Sequence, residues 1–115
     1  GIAKRLKQYG VKIIAVESKN SAPIYNKLYN QNLEIKSHLI QGIGAGFIPN
    51  NVDLNYIDDV ILVDDEEVIE FCKEFSELGV TGGLSSAANF LASRELNGNI
   101  ITIAPDSIEK YLSFL

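Results

Sequence analysis

The stretch VTGGLSSAANFLAS, Val80 to Ser93, holds the side chains best placed to do chemistry. Two glycines turn the chain, two serines follow, and a helical run begins. A helix N-terminus presents N–H groups without intrahelical partners and carries partial positive charge. A ligand arriving there meets backbone donors and, at Ser85 and Ser86, hydroxyls that donate or accept hydrogen bonds. Serine is also a preferred N-cap, so on spacing alone the segment reads more readily as a plain capping turn, with Ser85 or Ser86 as the cap. Gly82 and Gly83 are expected to supply unusual backbone angles.

A second glycine-rich stretch, QGIGAGFIPNNVDL, reads as loop. It is not a dinucleotide-binding fingerprint, because Phe47 and Pro49 stand where that motif must open a helix. Either its bare backbone lets a ligand approach or it is a structural turn. His38 is the single histidine, and zinc normally takes three or four protein ligands, so no metal site is expected. A triad of Ser85, His38 and an aspartate lacks the GxSxG elbow that would support it. Cys72 lies on the helical stripe Val68, Cys72, Phe75 and reads as a small core residue. A lone cysteine closes no internal disulfide, which points to a reducing, cytoplasmic compartment.

Several elements must position these residues. VKIIAVE and DVILV are β-branched runs of the kind expected in a strand covered on both faces. Asp64 with Glu67 forms a capping-box pattern ahead of a helix whose inward stripe is Val68, Cys72, Phe75 and Leu78, ended by Gly79. A helix spans Ala87 to Leu96, another follows Pro23, and Ile2 to Tyr9 repeat apolar residues at helical spacing up to Gly10. LEIKSHLI reads as extended and NIITIAPD as a further buried strand. The tail carries Tyr111, Leu112 and Phe114, expected to fold back on the body. Alternating strands and helices give an α/β fold with a largely parallel sheet and flanking helices. Residues 1–115 read as a single domain. The strand that should precede the first helix is absent, which suggests a piece of a larger fold.

The 115 residues, 46% hydrophobic and 22% charged, suit one soluble globular domain. A net charge of −5 argues against a nucleic-acid partner, and no apolar run is long enough for a membrane span. Lys4, Arg5 and Lys7 read as one solvated helix face.

Taken in order, HLIQGIGAGFIPNNVDLNYIDDVILVDDEEVIEF, LGVTGGLSSAANFLAS and NIITIAPDSIEKYLS strongly resemble the second half of cysteine synthase. That family, O-acetylserine sulfhydrylase, belongs to the fold-type II pyridoxal-phosphate enzymes. The resemblance implies most of a large cofactor-binding domain. It assigns Ser85 to the pyridine nitrogen of pyridoxal 5'-phosphate, with Gly83 and Ser86 shaping the turn. It places Gly42, Ile43 and Gly44 on the substrate side and His38 at the rim, where some members accept the C-terminus of serine acetyltransferase. It implies a cytoplasmic homodimer that makes L-cysteine from O-acetyl-L-serine and sulfide. Ala87 departs from the family's usual glycine.

The family's Schiff-base lysine and phosphate loop fall before Gly1. Lys4, Lys7 and Lys73 lie in no matching context, so no catalytic residue is assigned and the chain alone is expected to be inactive. A cystathionine β-synthase-like or O-phosphoserine-dependent enzyme, and a non-catalytic α/β interaction module, are the alternative readings.

Overall fold

The computed structural model describes residues 1–114, with the side chains of Tyr111 and Phe114 outside the description. The frame is a parallel pair, β1 (Ile14–Ser18) and β2 (Asp59–Val63), in register from Ile14 opposite Asp59 to Ser18 opposite Val63. Around it lie α1 (Ile2–Lys7), α2 (Pro23–Leu28), α3 (Asp65–Glu77) and α4 (Leu84–Ser93). Two 3-10 turns, Leu54–Tyr56 and Ile108–Phe114, complete the described elements. A parallel sheet with flanking helices is the architecture the alternating pattern predicts.

The local chemistry explains each element. Asp64 caps α3, its Oδ1 accepting from Glu66 N (3.0 Å) and Glu67 N (3.4 Å), and three acidic residues fill the first turn where the dipole favours them. Gly79, at φ +83°, ends the helix in a Schellman turn: Gly79 N donates to Ser76 O and Val80 N to Phe75 O. Val68 and Cys72 are buried, and the Phe75 ring packs on Phe71 and Phe90. Leu78 is a correction, being 78% exposed. It sits at the C-cap, where the Schellman turn carries the chain away from the buried face.

The core lies between α3, α4 and the sheet. Leu84, Ala87, Ala88 and Ala92 of α4 are buried against Val63, Val68 and Cys72. Alanines leave little side-chain bulk between the two helices, and Ala87 is accommodated at 1% exposure. Ile40 and Ile108 close the cluster from the loop and the C-terminal turn.

The remaining segments bury less than their apolar content predicts. NIITIAPD forms no described strand, and Ile101 is 86% exposed. No described strand lies beside it; Asn89 Nδ2 donates to Ile103 O (2.9 Å), and its last residue, Asp106, bonds to the start of α4. LEIKSHLI pairs with no strand either, and within it only Ile40 is buried. In the tail Ile108 is buried while Leu112 is 67% exposed; the fold-back expected of Tyr111 and Phe114 lies outside the described side chains. In α1 the apolar Ile2 is exposed, as is Tyr9 just beyond the helix. An ion pair from Lys7 to Asp58 and a bond from Ile13 N to Asp58 Oδ2 (2.7 Å) fix that end to the sheet.

Candidate functional site

The start of α4 is buried from Gly83 onward, with Ser85 5% and Ser86 0% exposed. Neither serine is the N-cap. The helix begins at Leu84 with Gly83 as its cap, which makes no side-chain bond, so both serines fall inside the first turn. Capping comes from Asp106, twenty residues on, across the chain. Its Oδ2 accepts from Ser85 N (3.1 Å) and its Oδ1 from Ser86 N (3.0 Å). The Ser86 hydroxyl also donates to Asp106 Oδ1, and Gly83 N donates to Asp106 O (3.2 Å). The two hydroxyls therefore differ in kind. Ser86 Oγ is bound into the turn, whereas Ser85 Oγ makes no hydrogen bond among the described residues.

The glycines before the helix play a different part from the one spacing suggested. Gly83 has an ordinary φ of −86°. Gly82 is needed for room: a Cβ there would stand 2.9 Å from Ser86 Cβ. An antiparallel bridge from Gly82 to Ser107 closes the segment onto the Asp106 turn.

The glycine loop comes to the same place. A Cβ on Gly42 (φ +94°) would lie 3.9 Å from both Cβ and Oγ of Ser85. The structure thus brings together Ser85 and Gly42, residues separated by forty-odd positions. Gly44 (φ +55°) anchors the loop. Its carbonyl accepts from Ser21 Oγ (2.8 Å) and His38 Nε2 (2.8 Å), and a Cβ there would meet Ser21 O at 2.7 Å. His38 Nδ1 accepts from Ile40 N (3.2 Å), so its proton resides on Nε2. Both ring nitrogens hold backbone. Ile43 is half-buried and packs against the core.

Asp65 ties this loop to the sheet. Buried at 6% exposure, it accepts from Ser18 Oγ at the end of β1 (2.6 Å) and from Leu39 N (2.8 Å). Glu17, also buried, caps α2 through Ile24 N (3.1 Å) and Tyr25 N (2.8 Å). Burial raises the Glu17 pKa, against the lowering effect of those two bonds. Asp65, Asp106 and Ser21 were not singled out from the sequence, since nothing in linear spacing joins them to the residues they hold.

Comparison with known proteins identifies the class. Residues 1–106 match the model of the pyridoxal-phosphate dependent enzyme family, and the chain belongs to it. Within that family it is similar to cysteine synthase A of Salmonella typhi, 41% identical over 87% of this chain and 33% of the relative. Among solved structures, a hydrogen sulfide-producing enzyme from Fusobacterium nucleatum superposes at a TM-score of 0.86, 34% identical over 98% of this chain and 35% of its own. Cysteine synthase from Entamoeba histolytica superposes at 0.81, 33% identical over 97% of this chain and 34% of its own. The chain spans about a third of the length of the curated relatives it matches.

The residues present fit one side of such a cofactor. A buried serine with an uncommitted hydroxyl faces a glycine that leaves open the space above it. A neutral heteroaromatic nitrogen is an acceptor that this hydroxyl can satisfy.

Proposed function

We propose that the full-length protein is a cysteine synthase, replacing the β-acetoxy group of O-acetyl-L-serine with sulfide. The observation that carries this reading is the Ser85 hydroxyl, free at the buried start of α4 and facing Gly42, in a chain with cysteine synthase relatives. Pyridoxal phosphate, when bound, supplies an electron-withdrawing ring that stabilises negative charge developing on the substrate. Ser85 Oγ would donate a hydrogen bond to the ring nitrogen. The buried turn formed by Gly83 and Ser86 holds the backbone that carries that hydroxyl. The backbone at Gly42, Ile43 and Gly44 borders the substrate, with positive φ at both glycines giving the loop its curvature.

No lysine or phosphate loop for the cofactor is assigned among these 115 residues, and the 115 residues alone are expected to be inactive. The reading carries with it a homodimer and a cytoplasmic location. No helix among the described residues is long and apolar enough to cross a membrane. A serine acetyltransferase C-terminus would have to dock without the His38 nitrogens, which hold Gly44 and Ile40.

The test is turnover by the full-length protein with sulfide and either O-acetylserine or O-phosphoserine. Preference for O-acetylserine, with S85A lowering kcat/KM by about 10- to 100-fold, is expected from loss of one hydrogen bond in a buried site. Preference for phosphoserine moves the protein to the related substrate class. No turnover with either supports the non-catalytic module.

A further inference from the structure

We propose that Asp106 is an electrostatic positioning residue for the cofactor ring: its carboxylate, set under the start of α4, raises the proton affinity of the ring nitrogen that Ser85 meets. The proposal rests on the Ser85 contact put forward above. A helix start without a carboxylate would present its free N–H groups and a partial positive charge to that nitrogen, disfavouring a proton on it. Here Asp106 takes the Ser85 and Ser86 N–H groups, and its full negative charge exceeds the roughly half charge of the helix end. The net field at the Ser85 hydroxyl is therefore negative. Ser86 Oγ and Gly83 N hold the Asp106 side chain and backbone in place, so the charge cannot swing away.

Two titratable groups near this turn are Cys72 and His38. Cys72 donates from Sγ to Gly82 O (3.6 Å) and is buried. Burial pushes its thiol pKa up and the Asp106 charge pushes it further, so the field of Asp106 extends into the core behind the turn. Across the glycine loop, His38 is held in its Nε2–H form by Ile40 N and Gly44 O. An opposite charge within a few ångströms of a titrating group typically moves its pKa by about 1–3 units. Part of this charge is offset by the helix end, so the low end of that range applies.

The experiment loads the full-length protein with pyridoxal phosphate carrying ¹⁵N in the ring and follows the ring resonance by NMR across pH. Wild type, D106N, D106S and S85A are compared. Asn and Ser each keep a side-chain oxygen able to accept from an amide N–H, so each removes the charge without replacing the acceptor by an apolar group. The expected result is protonation of the ring nitrogen about one pH unit lower in both Asp106 variants than in wild type. Superimposable titrations of wild type, D106N and D106S overturn the proposal. S85A separates the two levels: an unmoved resonance in S85A removes the Ser85 contact and the proposal with it. A moved S85A resonance beside unmoved Asp106 variants overturns the Asp106 effect alone.

Discussion

The substitution Asp65→Ala tests whether one buried carboxylate holds the glycine loop against the sheet. Asp65 accepts a 2.6 Å bond from Ser18 Oγ and a 2.8 Å bond from Leu39 N, with a weaker 3.5 Å contact from Asn20 Nδ2. Hydrogen bonds to charged groups contribute about 1.5–3 kcal/mol each, and removal leaves the buried partners unsatisfied. Asp65 is also the first residue of α3, where a negative charge adds about 0.3–1 kcal/mol. These effects share partners and do not add in full, so a loss of about 3–4 kcal/mol in local stability is the working figure.

Asp65→Asn is milder. Its amide oxygen can accept from Leu39 N while its amide nitrogen donates to Ser18 Oγ, leaving about 1–2 kcal/mol lost with the charge. Hydrogen exchange on the full-length protein reads this directly, in peptides covering 36–44. At 1.4 kcal/mol per decade, Asp65→Ala should lower the protection of the Leu39 amide by about 100- to 1,000-fold, and Asp65→Asn by about tenfold. Equal protection in wild type and Asp65→Ala, or a larger loss in Asp65→Asn, would refute the clamp.

Three further outcomes follow from the same geometry. Glu17 has a folded pKa raised above its ordinary 4.5, so its contribution favours folding below that pH and is lost as pH rises through the folded value. Glu17→Gln should therefore flatten the dependence of the urea midpoint on pH above about 4.5; an unchanged pH profile would show that burial does not set this carboxyl. Gly44→Ala places a Cβ 2.7 Å from Ser21 O at a φ of +55°. A cost of about 2–4 kcal/mol is expected from backbone strain and overlap, seen as faster exchange across 38–46, and wild-type protection there would count against it. The 115 residues produced alone should self-associate, since Ile100, Ile101 and Ile103 are exposed and the described sheet has two strands, each with an unpaired edge. A single monomeric mass by light scattering at high concentration would contradict this.

The sequence disclosed the elements whose signals are local. The β-branched runs became β1 and β2, Asp64 capped α3, Pro23 opened α2, and Gly79 closed a Schellman turn. It misled where a segment needs a neighbour. NIITIAPD has the composition of a buried strand, but Ile101 is exposed and no described strand lies beside it. Leu78 fits a helical period that the C-cap geometry interrupts. The site divides the same way. Ser85 was legible as a hydroxyl at a helix start, and Gly42 as bare backbone, yet the fold alone brings them so close that a Cβ on Gly42 would lie 3.9 Å from Ser85 Oγ. The expectation that Ser85 or Ser86 caps the helix failed because the helix starts at Leu84 with Gly83 as its cap, and a remote carboxylate takes the Ser85 and Ser86 amides that glycine has no side chain to hold.

Carboxylate capping recurs through the molecule and gives the site its character. Three helices start on carboxylates: Glu17 under α2, Asp64 under α3 and Asp106 under α4. Two of these come from other elements, so each caps a helix and also fixes it to another part of the fold. A local serine cap satisfies amides but anchors nothing beyond its own turn. At α4 the difference has a chemical consequence. Because Gly83 is the cap and Asp106 takes the amides it leaves open, Ser85 stands inside the first turn with its hydroxyl left for a ligand. The carboxylate that anchors this turn is also the charge nearest its amides, so one side chain joins the architecture of this helix start to the chemistry proposed for it.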